Sequence, residues 1–145
     1  MIARAALSGL FPAVAAVAGN AILQDWGANL APLGESTVRG TATASTMPGD
    51  TLDIRIMIEN ATPGDTHPWH LHSGSCPRSG AVLGGEASYA VIDVGDDRAG
   101  NAQARVAVTL TEGGAYSVNL HRSANDHTAI ACGDLQPVSG GGNVP

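Results

Sequence analysis

Five histidines carry most of the chemistry open to this chain: His67, His70, His72, His121 and His127. Three fall in His67-Pro68-Trp69-His70-Leu71-His72, and none lies between His72 and His121. In an extended chain successive side chains point to opposite faces. His70 and His72 then share one face, with Trp69 and Leu71 on the other. The same alternation in Tyr116-Ser117-Val118-Asn119-Leu120-His121 puts Tyr116, Val118 and Leu120 on an apolar face and leaves Asn119 and His121 opposite. The apolar faces belong to the core, so the three imidazoles sit on the outer side. If the two strands lie close, the three converge on a metal ion. Imidazole suits copper, zinc, nickel and iron. A His-x-His pair with a third histidine and no nearby thiolate or carboxylate fits copper in either common oxidation state. It also fits a zinc hydrolase with an open position. The plain alternative is three solvent-facing histidines that bind nothing.

The elements that must position these residues read as strands. Thr51–Asn60 alternates cleanly, with Leu52, Ile54, Ile56 and Ile58 on one face and Asp53, Arg55 and Glu59 on the other. Period two with branched side chains marks a half-buried strand. Further strands are expected at Ser36–Ser45, His67–His72, Ser88–Val94, Ala102–Leu110, Ala115–His121 and Ala129–Leu135. Met47-Pro48-Gly49-Asp50 and Ala61-Thr62-Pro63-Gly64-Asp65 are turns, and Ser73–Glu86 and Arg122–Thr128 are loops. Gln24–Leu33 is a lead-in to which the sequence assigns no element. About seven to eight short antiparallel strands with glycine-rich turns predict an all-β Greek-key barrel or sandwich.

The chain has 145 residues, enough for one domain, with 19 glycines, 8 prolines and a net charge of −6. An acidic surface argues against nucleic acid as a partner, because phosphate binding needs basic residues. The N-terminus reads as a secretory signal over residues 1–20. Arg4 supplies the positive charge, Ala5–Ala18 is almost wholly small and apolar, and Ala16-Val17-Ala18 or Gly19-Asn20-Ala21 offers a cleavage pattern. That apolar run is too short for a membrane span, which needs about 20 residues; the competing reading is a buried N-terminal helix. With the signal removed, residues 21–138 form the β domain, 139–145 a flexible glycine-rich tail, and no transmembrane span remains. Secretion or periplasmic export would suit the two cysteines, Cys76 and Cys132, since an even count in an oxidising compartment commonly pairs. A bond between them would stabilise by about 4 kcal/mol in the chain-entropy account. Two unpaired thiols, or a thiolate copper ligand, are the alternatives.

Taken together, these segments resemble the copper/zinc superoxide dismutases. His67-Pro68-Trp69-His70-Leu71-His72 is similar to the stretch in which that family places a structural histidine three residues before a His-x-His copper pair. Ala115–His121 resembles the later strand that ends in another copper histidine, and Ala129-Ile130-Ala131-Cys132-Gly133-Asp134-Leu135 the C-terminal Ala-Cys-Gly strand. The order of the pieces is kept over about Ser36 to Val138. The resemblance implies His70, His72 and His121 as copper ligands, His67 as a histidine bracing the site by hydrogen bonds, and a Cys76–Cys132 disulfide. It also marks what is missing. No histidine occurs from Ser73 to Leu120, so the family's bridging histidine and zinc site have no counterpart, and the resemblance implies copper without zinc. The segment between His121 and Cys132 is short. Ala129 stands where the family has the arginine that guides superoxide, and Arg78 and Arg122 are the candidates to replace it. His127, beside Asp126, is either a fourth ligand or an exposed loop histidine.

Two functions follow as expectations. One is a copper-only dismutase with superoxide as substrate. The other is a non-enzymatic copper protein for scavenging, storage or delivery, whose partner is another copper-handling protein. A third possibility, a metal-free structural domain, is disfavoured by three histidines on matching faces. A blue-copper site is set aside, because Cys132 has no histidine or methionine downstream.

Overall fold

The computed structural model describes residues 23–139 together with Gly9. The segment read as a signal and the tail beyond 139 lie outside the described residues. Among the described residues there are ten strands: β1 (Asp25–Pro32), β2 (Arg39–Met47), β3 (Thr51–Glu59), β4 (Thr66–His67), β5 (Trp69–Ser73), β6 (Ile92–Asp93), β7 (Gly100–Val106), β8 (Tyr116–His121), β9 (Ala129–Asp134) and β10 (Gln136–Val138). One short 3-10 turn at Glu86–Ser88 completes the set.

Alternation makes β3 the spine of the fold. Leu52, Ile54, Ile56 and Ile58 are at most 2% exposed, while Arg55, Met57 and Glu59 face solvent. It pairs antiparallel with β2 on one side and β7 on the other. The main sheet runs β5-β8-β9-β1-β2-β3-β7, with β10 on the free half of β1. The chain crosses from β3, next to last in this order, to β5 at the opposite end, returns to β7 at the near end, and crosses again to β8. Those crossings are the Greek-key connectivity that lets the sheet curl around one core. Trp26, Trp69, Leu71, Ile92, Val118, Leu120 and Leu135 fill that core beside the β3 residues. The fold class expected from the sequence is the one observed.

Several boundaries differ from the sequence expectation. Gln24–Leu33 contains a full strand, β1, despite a composition (Gly, Ala, Asn, Pro) that favours none. Pairing to β2, β9 and β10 imposes the extended form, and Trp26, Ala28 and Leu30 turn inward. Tertiary pairing outweighs β-propensity here. The expected strand His67–His72 is two, because Pro68 has no N–H to donate to a ladder. β4 pairs β6, while β5 pairs β8. Of Ser88–Val94 only Ile92–Asp93 is a strand, and Ala102–Leu110 ends at Val106. The order places β5 and β8 side by side, and this adjacency is what the histidines require.

Candidate metal centre

Trp69 lies opposite Leu120, His70 opposite Asn119 and His72 opposite Ser117 along the β5–β8 ladder. His121 closes that ladder, its N–H donating to Pro68 O at 2.8 Å. The three imidazoles therefore leave the same face of two bonded strands. Their ring centroids are 5.1 Å (His70–His121), 5.8 Å (His72–His121) and 5.9 Å (His70–His72) apart. One nitrogen from each lies within 4.8 Å of the other two.

The rings lie on the face opposite the core residues Trp69, Leu71, Val118 and Leu120, as alternation along the two strands requires. Alternation does not foresee their burial: His70, His72 and His121 are only 7–8% exposed. The cover is the segment that follows β5. Ser73 N–H donates to Ala81 O, Gly80 N–H to Ser73 O and Leu83 N–H to Leu71 O, so residues 80–83 lie along the free edge of β5 as a strap. A Cβ at Gly80 would stand 2.6 Å from Ser73 Oγ and 3.2 Å from Ser73 O, so a larger residue there would require the Ser73 hydroxyl to turn away. Ser79 Oγ pairs with Ser117 Oγ at 2.7 Å and donates to Asn119 Oδ1 at 3.2 Å. A disulfide ties the strap's root to β9: Cys76 and Cys132 are bonded, with Cα atoms 6.0 Å apart. Cys76 N–H also donates to Asp134 Oδ1 at 2.8 Å.

Each of two rings is oriented by a backbone carbonyl. His72 Nδ1–H donates to Gly80 O and His121 Nδ1–H to His127 O, both at 2.9 Å. Carbonyls only accept, so the protons sit on Nδ1 and the lone pairs on Nε2. Both Nε2 atoms are buried without a partner among the described residues. An unmatched buried nitrogen costs free energy unless something fills its place. Metal-binding histidines commonly donate their second ring N–H to a carbonyl in this way. His70 is held instead by an edge-on contact with Tyr89 at 5.3 Å; Tyr89 in turn packs on Trp69 and donates its hydroxyl to Leu83 O at 2.7 Å.

Burial pushes the His70 ring down to about 4, reinforced by His121, His72 and His127 and opposed by Glu86. Burial likewise lowers His121, with the His127 carbonyl opposing it. At neutral pH these rings are uncharged, as a cation requires. Desolvation also raises the Tyr89 hydroxyl to about 12, so it stays protonated and keeps its bond.

His67 braces the site through the main chain. Its Nδ1–H is shared between the carbonyls of His121 (3.1 Å) and Arg122 (2.9 Å), fixing the end of β8. His127 lies on the loop after β8, exposed, with its ring 6.0 Å from that of His121 and Nε2 3.0 Å from Ala124 O. Its nitrogens are outside the 4.8 Å group. Arg122 binds Asp126, Nη1 to Oδ2 at 2.9 Å, and Arg78 is exposed on the strap. Among the described residues no hydrogen bond or ion pair joins either arginine to the three histidines. Sequence reasoning missed Tyr89 and the two orienting carbonyls. A carbonyl carries no residue-type signal, whereas Tyr89 falls in a segment read as an ordinary strand.

Fold and site together define a superoxide dismutase-like β-barrel with a buried three-histidine group. No protein-family model and no curated protein sequence matches the chain. Solved structures do. Superoxide dismutase 5 of Candida albicans, in a Cu(II) structure, superposes with a TM-score of 0.57 at 14% identity, over 86% of this chain and 99% of that one. A glutamate-to-glutamine mutant of the same enzyme gives 0.55 at 14%, over 85% and 97%. The clock protein EA4 gives 0.57 at 14%, over 79% and 94%. The chain thus has the superoxide dismutase fold in a sequence far diverged from these structures.

Proposed function

We propose that this chain is an exported copper protein of the superoxide dismutase fold, holding one copper ion at His70, His72 and His121 and no zinc. The observation that carries the reading is the convergence of one nitrogen from each of His70, His72 and His121 within 4.8 Å, with Nε2 of His72 and His121 buried and unpartnered and Nδ1 of each committed to a carbonyl. An all-imidazole set without a carboxylate or thiolate suits copper in both oxidation states. The Cu(II) structure of a similar fold supports that choice of metal. The assignment of no zinc rests on the absence of histidine from Ser73 to Leu120. Export rests on the N-terminal pattern and is supported by the disulfide, which an oxidising compartment maintains.

Copper at this position would supply one-electron chemistry between two superoxide anions, one leaving as dioxygen and the other, with two protons, as hydrogen peroxide. The protein's part is to keep His70 and His121 neutral, bring one nitrogen of each of the three rings together and keep the rings buried beneath the strap. A second reading, copper scavenging, storage or delivery without turnover, is favoured by Arg122. Its guanidinium is committed to Asp126, which leaves it poorly suited to drawing in an anion.

Metal content and superoxide consumption measured on one copper- and zinc-loaded sample separate the two. One copper, no zinc and rapid dismutation support the enzyme. One copper with negligible turnover supports the carrier, and a chain that retains no copper overturns both.

A further inference from the structure

We propose that the loop 122–128 is a second arm of the metal site, in which His127 supplies a fourth imidazole nitrogen and Asp126 positions it. This rests on the copper reading above and extends it to a residue outside the buried trio.

The first argument is the proton on the ring. His127 Nε2 faces Ala124 O at 3.0 Å, and a carbonyl only accepts. Nε2 therefore carries a hydrogen, and Nδ1 is the nitrogen that would be offered to a metal. His72 and His121 show the same arrangement, one ring N–H given to a backbone carbonyl and the other nitrogen free. Metal-binding imidazoles commonly have this arrangement, and His67, which braces the site, shares it, so the pattern counts here only together with nearness to the trio.

The second argument is distance. Two imidazoles on one first-row metal, each nitrogen at about 2.0 Å, have ring centroids no more than about 6.3 Å apart. The buried trio satisfies this at 5.1–5.9 Å, and His121–His127 satisfies it at 6.0 Å. His127 is exposed, whereas the trio is buried. Its nitrogens stand outside the 4.8 Å group, so ligation requires the ring to turn toward His121.

The third argument is that the loop is built to hold this position. His127 already belongs to the site through its main chain, since its carbonyl orients His121. Asp126 organises the rest. Its Oδ1 accepts Thr128 N–H at 3.0 Å and Thr128 Oγ1–H at 2.6 Å, and its Oδ2 accepts Arg122 at 2.9 Å. Its own N–H donates to Ser123 Oγ at 3.0 Å, while Arg122 N–H reaches Thr128 O at 2.9 Å. No glycine interrupts residues 122–128. So dense a bond set on seven surface residues, five exposed and two half-buried, contributes little to the core but fixes the main chain at His127.

The test counts nitrogens on Cu(II) in the loaded full chain by pulsed and continuous-wave electron paramagnetic resonance. The wild type is expected to show four imidazole couplings. His127→Ala, which keeps the carbonyl that orients His121, should show three and bind Cu(II) about 10- to 100-fold more weakly. Asp126→Ala should give a mixture of both spectra, and Asp126→Asn, which retains an acceptor for Thr128, should restore the four-nitrogen form. Three couplings in the wild type, or an unchanged spectrum in His127→Ala, overturn the fourth ligand and leave the three-histidine site standing. A wild type that takes up no copper overturns the three-histidine reading, and the fourth ligand with it.

Discussion

A metal ion competes with protons for imidazole, and burial settles that competition in the metal's favour before any ion arrives. The His70 ring is pushed down to about 4 and His121 is lowered as well, against an ordinary value near 6.5. The sign of the consequence is fixed. Below 6.5 the unfolded chain takes protons that the folded chain refuses, so stability rises with pH across that window and is lost as pH falls from 6.5 toward 4. The urea midpoint of the metal-free protein is therefore expected to drop between pH 7 and 5, above the range in which most carboxylates titrate, and to drop less in His70→Ala. A midpoint flat over that interval in both proteins would contradict the burial argument. The trio was legible in the sequence because alternation with Trp69, Leu71, Val118 and Leu120 assigns each histidine a face. What orients it was not. The carbonyls of Gly80 and His127 come into register only when the strap and loop fold back, and nothing at positions 80 or 127 announces it.

On the scale of elements, the segment leading into the strap, residues 74–80, does not draw its stability from core packing, whereas Val82 and Leu83 further along do pack on the core. Residues 74–80 are at most half-buried, and they are held by the disulfide, the Cys76–Asp134 bond and the Ser79 contacts. Replacing both cysteines by serine should lower the free energy of unfolding by about 2–5 kcal/mol, read from urea denaturation. It should also weaken copper binding, because Gly80 O then loses its fixed place against His72. Unchanged stability and affinity would show that the strap is held by its hydrogen bonds alone. The elements were unevenly readable. β3 follows from four branched or leucine residues at period two, and the later strands from similar though weaker patterns. β1 gives no such signal, since alanine, glycine and asparagine leave only Trp26 and Leu30 to mark a face. The break at Pro68 could have been read from proline's missing N–H.

On the scale of the whole molecule, the Greek-key crossings bring β5 beside β8 although about forty residues separate them in the chain. That adjacency converts two unremarkable His-bearing strands into one site. The resemblance read from the order of short motifs and the superposition on dismutase structures at 14% identity agree on the fold. The loop after β8 carries Arg122 into a pair with Asp126 and places the His127 ring 6.0 Å from that of His121. The proposed copper site depends on the buried nitrogens of His72 and His121. Copper titration of the full chain, followed by competition with a chelator of known affinity, measures them directly. One copper per wild-type chain, and none retained by the His72→Ala/His121→Ala double variant, is the expected result. A double variant that is folded and binds copper as tightly as the wild type would contradict it.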